Sequence, residues 1–108
     1  MPDTVREVFE EIPRQFDPAA WGSQNAVLQF NITGDDAGSW TVNIVDGKIS
    51  IDESEAANPD MTVTTTAQDM VAIVNGELNS VSAFMQGRVR IDGDMSLAMK
   101  LQNLLSSS

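Results

Sequence analysis

The amino-acid sequence predicts an α+β domain in which antiparallel strands come early, helices come late, and the helices pack on one face of the sheet. Two observations point there. Apolar residues recur with a period of two around residues 26–32, 40–44 and 48–52, the pattern of half-buried strands, with the turn former Asp46-Gly47 between the last two. Helical periodicity, by contrast, marks the first sixteen residues and most of the chain beyond residue 66. A length of 108 residues allows one domain, spanning 1–108, with one small core.

Thr4 and Glu7 form a capping box, and Val5, Val8, Phe9, Ile12 and Phe16 fall within about 100° of a helical wheel, so residues 4–16 read as an amphipathic helix whose last turn Pro13 weakens. Asp17-Pro18 looks like an N-cap with proline at the first helical position of one short turn. Leu28, Phe30 and Ile32 alternate with Gln29 and Asn31, predicting a strand with one wet face, and Trp40, Val42 and Ile44 predict its antiparallel partner. Asp46-Gly47 suits a type I′ turn into a third strand over 48–52, completing a meander. Residues 53–60 read as a polar loop and the β-branched run 61–65 as a fourth strand. Thr66 and Asp69 open a helix that Gly76 closes, and a short helix comes next over 80–86. Residues 88–91 read as a short strand closed by Asp92-Gly93, after which Asp94 caps a last helix over 95–105.

Composition excludes much chemistry. With no Cys and no His, the chain lacks disulfides, thiolate nucleophiles and the commonest metal ligand, so no cofactor is expected. Sixteen acidic side chains against six basic ones give a net charge of −10, which repels nucleic acid and anionic membranes at long range. Residues 1–60 carry 12 acids and 3 bases, residues 61–108 only 4 and 3. The acidic half reads as a solvated surface, and scarcity of Lys beside it also suits a high-salt habitat. No stretch reaches the ~18 apolar residues of a membrane span, and the start carries no signal sequence, so a cytoplasmic protein without stable membrane insertion is expected.

Catalytic constellations are scarce. Asp35-Asp36 and the Asp92, Asp94 pair are explained by turns and capping, and the serines have no base beside them. Asp52, Glu53 and Glu55 lack the spacing of a calcium loop. The last helix stands out instead. Met95, Leu97, Ala98, Met99, Leu101, Leu104 and Leu105 spread over roughly 220° of the wheel, too wide for one core contact. Such a helix covers a large core, a partner subunit, or a cavity for an apolar guest. All five internal methionines, Met61, Met70, Met85, Met95 and Met99, lie in the same half, and flexible Met side chains suit either core filling or a deformable pocket wall.

The stretch GELNSVSAFMQGRVRIDGDMSLAMKLQNL, residues 76–104, resembles the C-terminal signature of the sterol carrier protein type 2 family, A-F-x-x-G-K-[LV]-K-[IV]-x-G-[ND]-x-x-L-A-[ML]-K-L. Upstream segments around residues 16–18, 29–34, 40–42 and 45–48 are similar to small stand-alone prokaryotic members. The resemblance implies a five-stranded, mostly antiparallel sheet covered on one face by helices and enclosing an apolar tunnel for fatty acid, fatty acyl-CoA, sterol or a similar lipid. Carried over position by position, Phe84, Gly87, Gly93, Leu97, Ala98, Met99 and Leu101 match the motif. Met70, Val74, Met85, Ile91, Met95, Leu104 and Leu105 are expected with them at or near the ligand. Glu77, Arg88 and Arg90 depart from the usual lysines, which favours fatty acid or neutral lipid over acyl-CoA. The Ser106-Ser107-Ser108 end lacks a peroxisomal address. The expectation is a non-catalytic lipid carrier, monomeric or weakly dimeric, with a protein–protein or dimerisation module serving a lipid-modifying enzyme as the alternative.

Overall fold

A computed structural model describes residues 4–34, 37–94, 96, 97 and 100, the side chain of Ala20 excepted. The elements run α1 (Val5–Gln15), α2 (Pro18–Trp21), β1 (Ala26–Thr33), β2 (Gly38–Val45), β3 (Lys48–Asp52), β4 (Met61–Thr66), α3 (Ala67–Val74), α4 (Ser80–Met85) and β5 (Arg90–Gly93). The two capping boxes form as expected: Thr4 accepts from the Glu7 amide and Thr66 from the Asp69 amide. Asp17 caps α2 through the Ala19 amide. α1 runs on to Gln15 with Pro13 in its last turn.

Five strands form one sheet in the order β3-β2-β1-β4-β5. β1, β2 and β3 are the expected meander, with Val45 opposite Lys48 across a turn in which Asp46 and Gly47 have φ of 52° and 77°. β4 joins the free side of β1 in parallel, and β5 closes that side in antiparallel register. The sheet is therefore mixed. The parallel pair requires residues 53–60 to cross from one edge to the interior, and they do so over the face away from the helices. There Thr41 donates its hydroxyl to the Ser54 carbonyl (2.8 Å), and Gln29 accepts from the Ala56 amide. This crossing buries Gln29 and Thr41 to 4% and 5% exposure, so the face expected to be wet is dry at its centre. Gln29 also donates to Asn31 (3.1 Å), which leaves its amide satisfied at both ends.

The opposite face holds the core. Leu28, Phe30 and Ile32 of β1, Trp40, Val42 and Ile44 of β2, and Met61 and Val63 of β4 are buried beneath Val5, Val8, Phe9 and Ile12 of α1 and Met70, Ile73 and Val74 of α3. Phe9 stacks on Trp40 (4.6 Å between centroids) and meets Phe30 edge-on (5.3 Å).

The last strand corrects the sequence reading by two residues. It covers Arg90–Gly93 instead of residues 88–91, and Gly93 pairs with Met61 inside the ladder. The reason lies in α4, whose Schellman ending consumes residues 86–88: the Gly87 amide reaches Phe84 O (3.1 Å) and the Arg88 amide Ala83 O (2.9 Å). Gly93 is required by proximity, since a Cβ there would lie 2.5 Å from the Asp60 carbonyl oxygen at a φ of +110°. Asp60 binds three elements together, pairing with Val27 through its amide and carboxylate and accepting from the Asp94 amide at 2.9 Å.

Candidate apolar ligand site

α4 is set by its ends. Asn79 accepts from the Ser82 amide (3.0 Å) at the start and Gly87, with φ 78°, reverses the chain at the finish. Between them Ala83 is fully buried, so the six-residue helix turns its other apolar side chains outward. Val81 is 48% exposed, Phe84 42% and Met85 80%, three of the four large apolar side chains left in solvent among the described residues.

The remaining residues of the expected site are placed around this helix in the chain but not equally in depth. Met70, Val74 and Leu97 belong to the buried cluster together with Ala83 and Val89, and Ile91 packs against it half-exposed. Met95, Ala98, Met99, Leu101, Leu104 and Leu105 lie outside the described residues. The described part of the closing helix, Ser96, Leu97 and Lys100, is helical. Val81 was not singled out from the sequence. It sits at the start of a helix too short to show a period, although its spacing to Met85 is one turn.

Polar groups near this end are quiet. Arg88 and Arg90 are exposed, and the Arg88 carbonyl accepts from buried Thr65 at 3.2 Å. Lys100 lies 5.3 Å over the Trp21 ring, whose indole N–H donates to Gln24 O, so this cation is held by the last residue of α2. Asp94 accepts from the Ser96 hydroxyl (2.6 Å) and amide (2.9 Å), and these bonds hold its carboxyl below the ordinary Asp value. A lowered, fully exposed carboxyl capping a helix is poorly suited to proton transfer. Among the described residues no group of three acidic side chains is arranged to hold a metal ion.

Elsewhere, two open depressions flank the start of α1. One of about 330 Å³ lies between Arg6, Trp40 and Glu53. The other, of about 730 Å³, runs between Val5, Gly34, Val71 and Glu77. No pattern in the sequence marks them.

Comparison with known proteins places these features in a family. The profile of the SCP-2 sterol transfer family matches residues 9–106. Sterol carrier protein 2 of Oryctolagus cuniculus is 34% identical over 105 residues, 90% of this chain and 19% of that protein. Hydroxysteroid dehydrogenase-like protein 2 of Xenopus laevis is 28% identical over 102 residues, 94% of this chain and 24% of that protein. The chain thus spans about a fifth to a quarter of the length of these curated relatives. Among solved structures, palmitated SCP2L2 from Aedes aegypti superposes with a TM-score of 0.80 at 30% identity, covering 96% of both chains.

Proposed function

Since the chain belongs to the SCP-2 sterol transfer family, we propose that it binds a lipid or another apolar small molecule without chemical change, in a hydrophobic tunnel whose described lining is drawn from Met70, Val74, Phe84, Met85, Ile91 and Leu97. The supporting observation is the division within α4: Ala83 is locked into the core while Val81, Phe84 and Met85 remain in solvent. A helix that leaves Val81, Phe84 and Met85 between 42% and 80% exposed gives up a corresponding part of the roughly 1.5–3 kcal/mol that full burial of each is worth, and an apolar guest covering them recovers it. Affinity then grows by about 0.8 kcal/mol for each methylene buried, before the cost of association. Fatty acid and neutral lipid are favoured over a polyphosphate head group by the chain's net charge of −10. That the Aedes aegypti relative was solved in palmitated form agrees with an acyl chain as ligand.

The test is titration of the delipidated protein with a fluorescent fatty acid, a fluorescent acyl-CoA and a fluorescent sterol. Saturable one-to-one uptake of at least one is expected, weakened at least tenfold in the Phe84→Asp variant. Failure of all three to bind would reject the carrier reading. Uptake undiminished in Phe84→Asp would move the site off α4.

A further inference from the structure

The sheet has two edges, and the one formed by β3 carries a pattern that fits its own copy. β3 reads Lys48-Ile49-Ser50-Ile51-Asp52, and among the described residues nothing pairs with its outer side. Its register fixes which backbone groups are free. Val45 and Lys48 flank a two-residue type I′ turn and exchange both hydrogen bonds, so Ser50 with Asn43 and Asp52 with Thr41 do the same two and four residues on. The amides and carbonyls of Ile49 and Ile51 therefore point away from β2, at the open edge.

We propose that this edge is a homodimer contact, in which β3 pairs antiparallel with β3 of a second copy about a two-fold axis through Ser50. Pairing of Ile49 with Ile51 of the other copy, and the reverse, uses all four free amide and carbonyl pairs and joins two five-stranded sheets into one. In the same register Lys48 stands opposite Asp52 of the other copy, twice, on the face away from the helices. Neither Lys48 nor Asp52 has an ion-pair partner among the described residues. On the helix side Ile49 and Ile51, half-exposed in one copy, meet their counterparts. A slip by two residues sets Lys48 against Ser50 and breaks the charge match, so the sequence selects one register. β5 lies at the opposite edge of the sheet, which leaves α4 free, and the inference does not depend on what the protein binds.

Such a contact is small and belongs to the weak, transient class. With a net charge of −10 on each copy, it should be sought at about 0.15 M salt, where the Debye length is ~8 Å. Sedimentation equilibrium of the intact chain from roughly 10 µM to 1 mM is expected to show reversible dimers. Lys48→Asp and Asp52→Lys are each expected to weaken association at least tenfold, and the double exchange to restore it. Because the chain has no cysteine, Ser50→Cys introduces a single thiol. Ser50 faces its copy in a non-hydrogen-bonded pair with Cα atoms about 4.5 Å apart, within disulfide reach. Mild oxidation should link Ser50→Cys rapidly and Ser82→Cys, on α4, slowly. Equal rates, faster linkage through Ser82→Cys, a monomer at every concentration, or a double exchange that fails to restore dimers would each overturn the proposal.

Discussion

Beneath α1, Phe9 lies between Trp40 and Phe30, the Arg6 guanidinium sits over the Trp40 ring at 5.4 Å from its centroid, and Glu53 fixes that guanidinium at 3.0 Å. At the other end, β5 is four residues long, Ile91 is half-buried, and α4 leaves Phe84 and Met85 in water. Both regions are rich in large apolar side chains, but the second, which buries Met70, Val74, Ala83, Val89 and Leu97, leaves Val81, Phe84 and Met85 in water. Unlike those beneath α1, the apolar side chains on the outer side of α4 add little to the stability of the fold. Substitutions should therefore separate the two regions by their effect on stability.

The largest effect is expected from Phe9→Ala. Phe9 is 2% exposed and contacts two aromatic rings, so its removal should cost about 3–5 kcal/mol, read as a lower urea midpoint at unchanged slope. A loss below ~1 kcal/mol would show that this side is as loosely filled as the other.

Gly93→Ala comes next. Its Cβ would meet the Asp60 carbonyl and the Met61 Cα, at 2.5 and 3.0 Å, in a backbone region unfavourable for any L side chain. A loss of about 1–3 kcal/mol is expected, with faster hydrogen exchange at the Thr62 and Thr64 amides of β4, beside β5, than at those of β2. Uniform acceleration across the sheet would mean that the β5 end is not a separable unit.

A smaller effect is expected from Asp94. Hydrogen bonds from Ser96 lower its pKa in the folded state, so its capping contribution is present above the ordinary Asp value of about 3.9 and is lost as pH falls through the lower folded value. Thermal melts of the protein and Asp94→Ala should differ at neutral pH and converge on acidification below that value. A constant difference from pH 7 to 3 would show that the charge plays no part.

Much of this was legible locally. Thr4 with Glu7, Thr66 with Asp69, and Asp46-Gly47 each act within four residues, and each forms as the sequence predicts. The burial of Gln29 was not legible, because it depends on residues 53–60 crossing the sheet, an event about 27 positions away from Gln29 itself. The parallel pairing of β4 with β1 results from the same crossing. At the site, a wheel shows which residues share a helix face but not which face meets the core. Met70 and Met85 look alike in sequence, yet one is 1% and the other 80% exposed. The two-residue error in β5 had a local signal, since Gly87 after a helical run marks a C′ position whose reversal consumes the residues beyond it.

The smallest stability change, and the sharpest contrast with Phe9, belongs to Met85. At 80% exposure the folded state gains little from its side chain, so Met85→Ser should alter stability by no more than about 0.5 kcal/mol. If α4 exists to cover an apolar guest, the same substitution should weaken fatty-acid binding several-fold while the melting curve stays in place, and the deficit should grow with the chain length of the ligand as more methylenes reach the altered surface. A residue that merely filled the core would behave oppositely, losing stability and binding together. Loss of stability above ~1 kcal/mol with unchanged binding would place Met85 with Phe9 and remove the distinction between the two ends of the sheet.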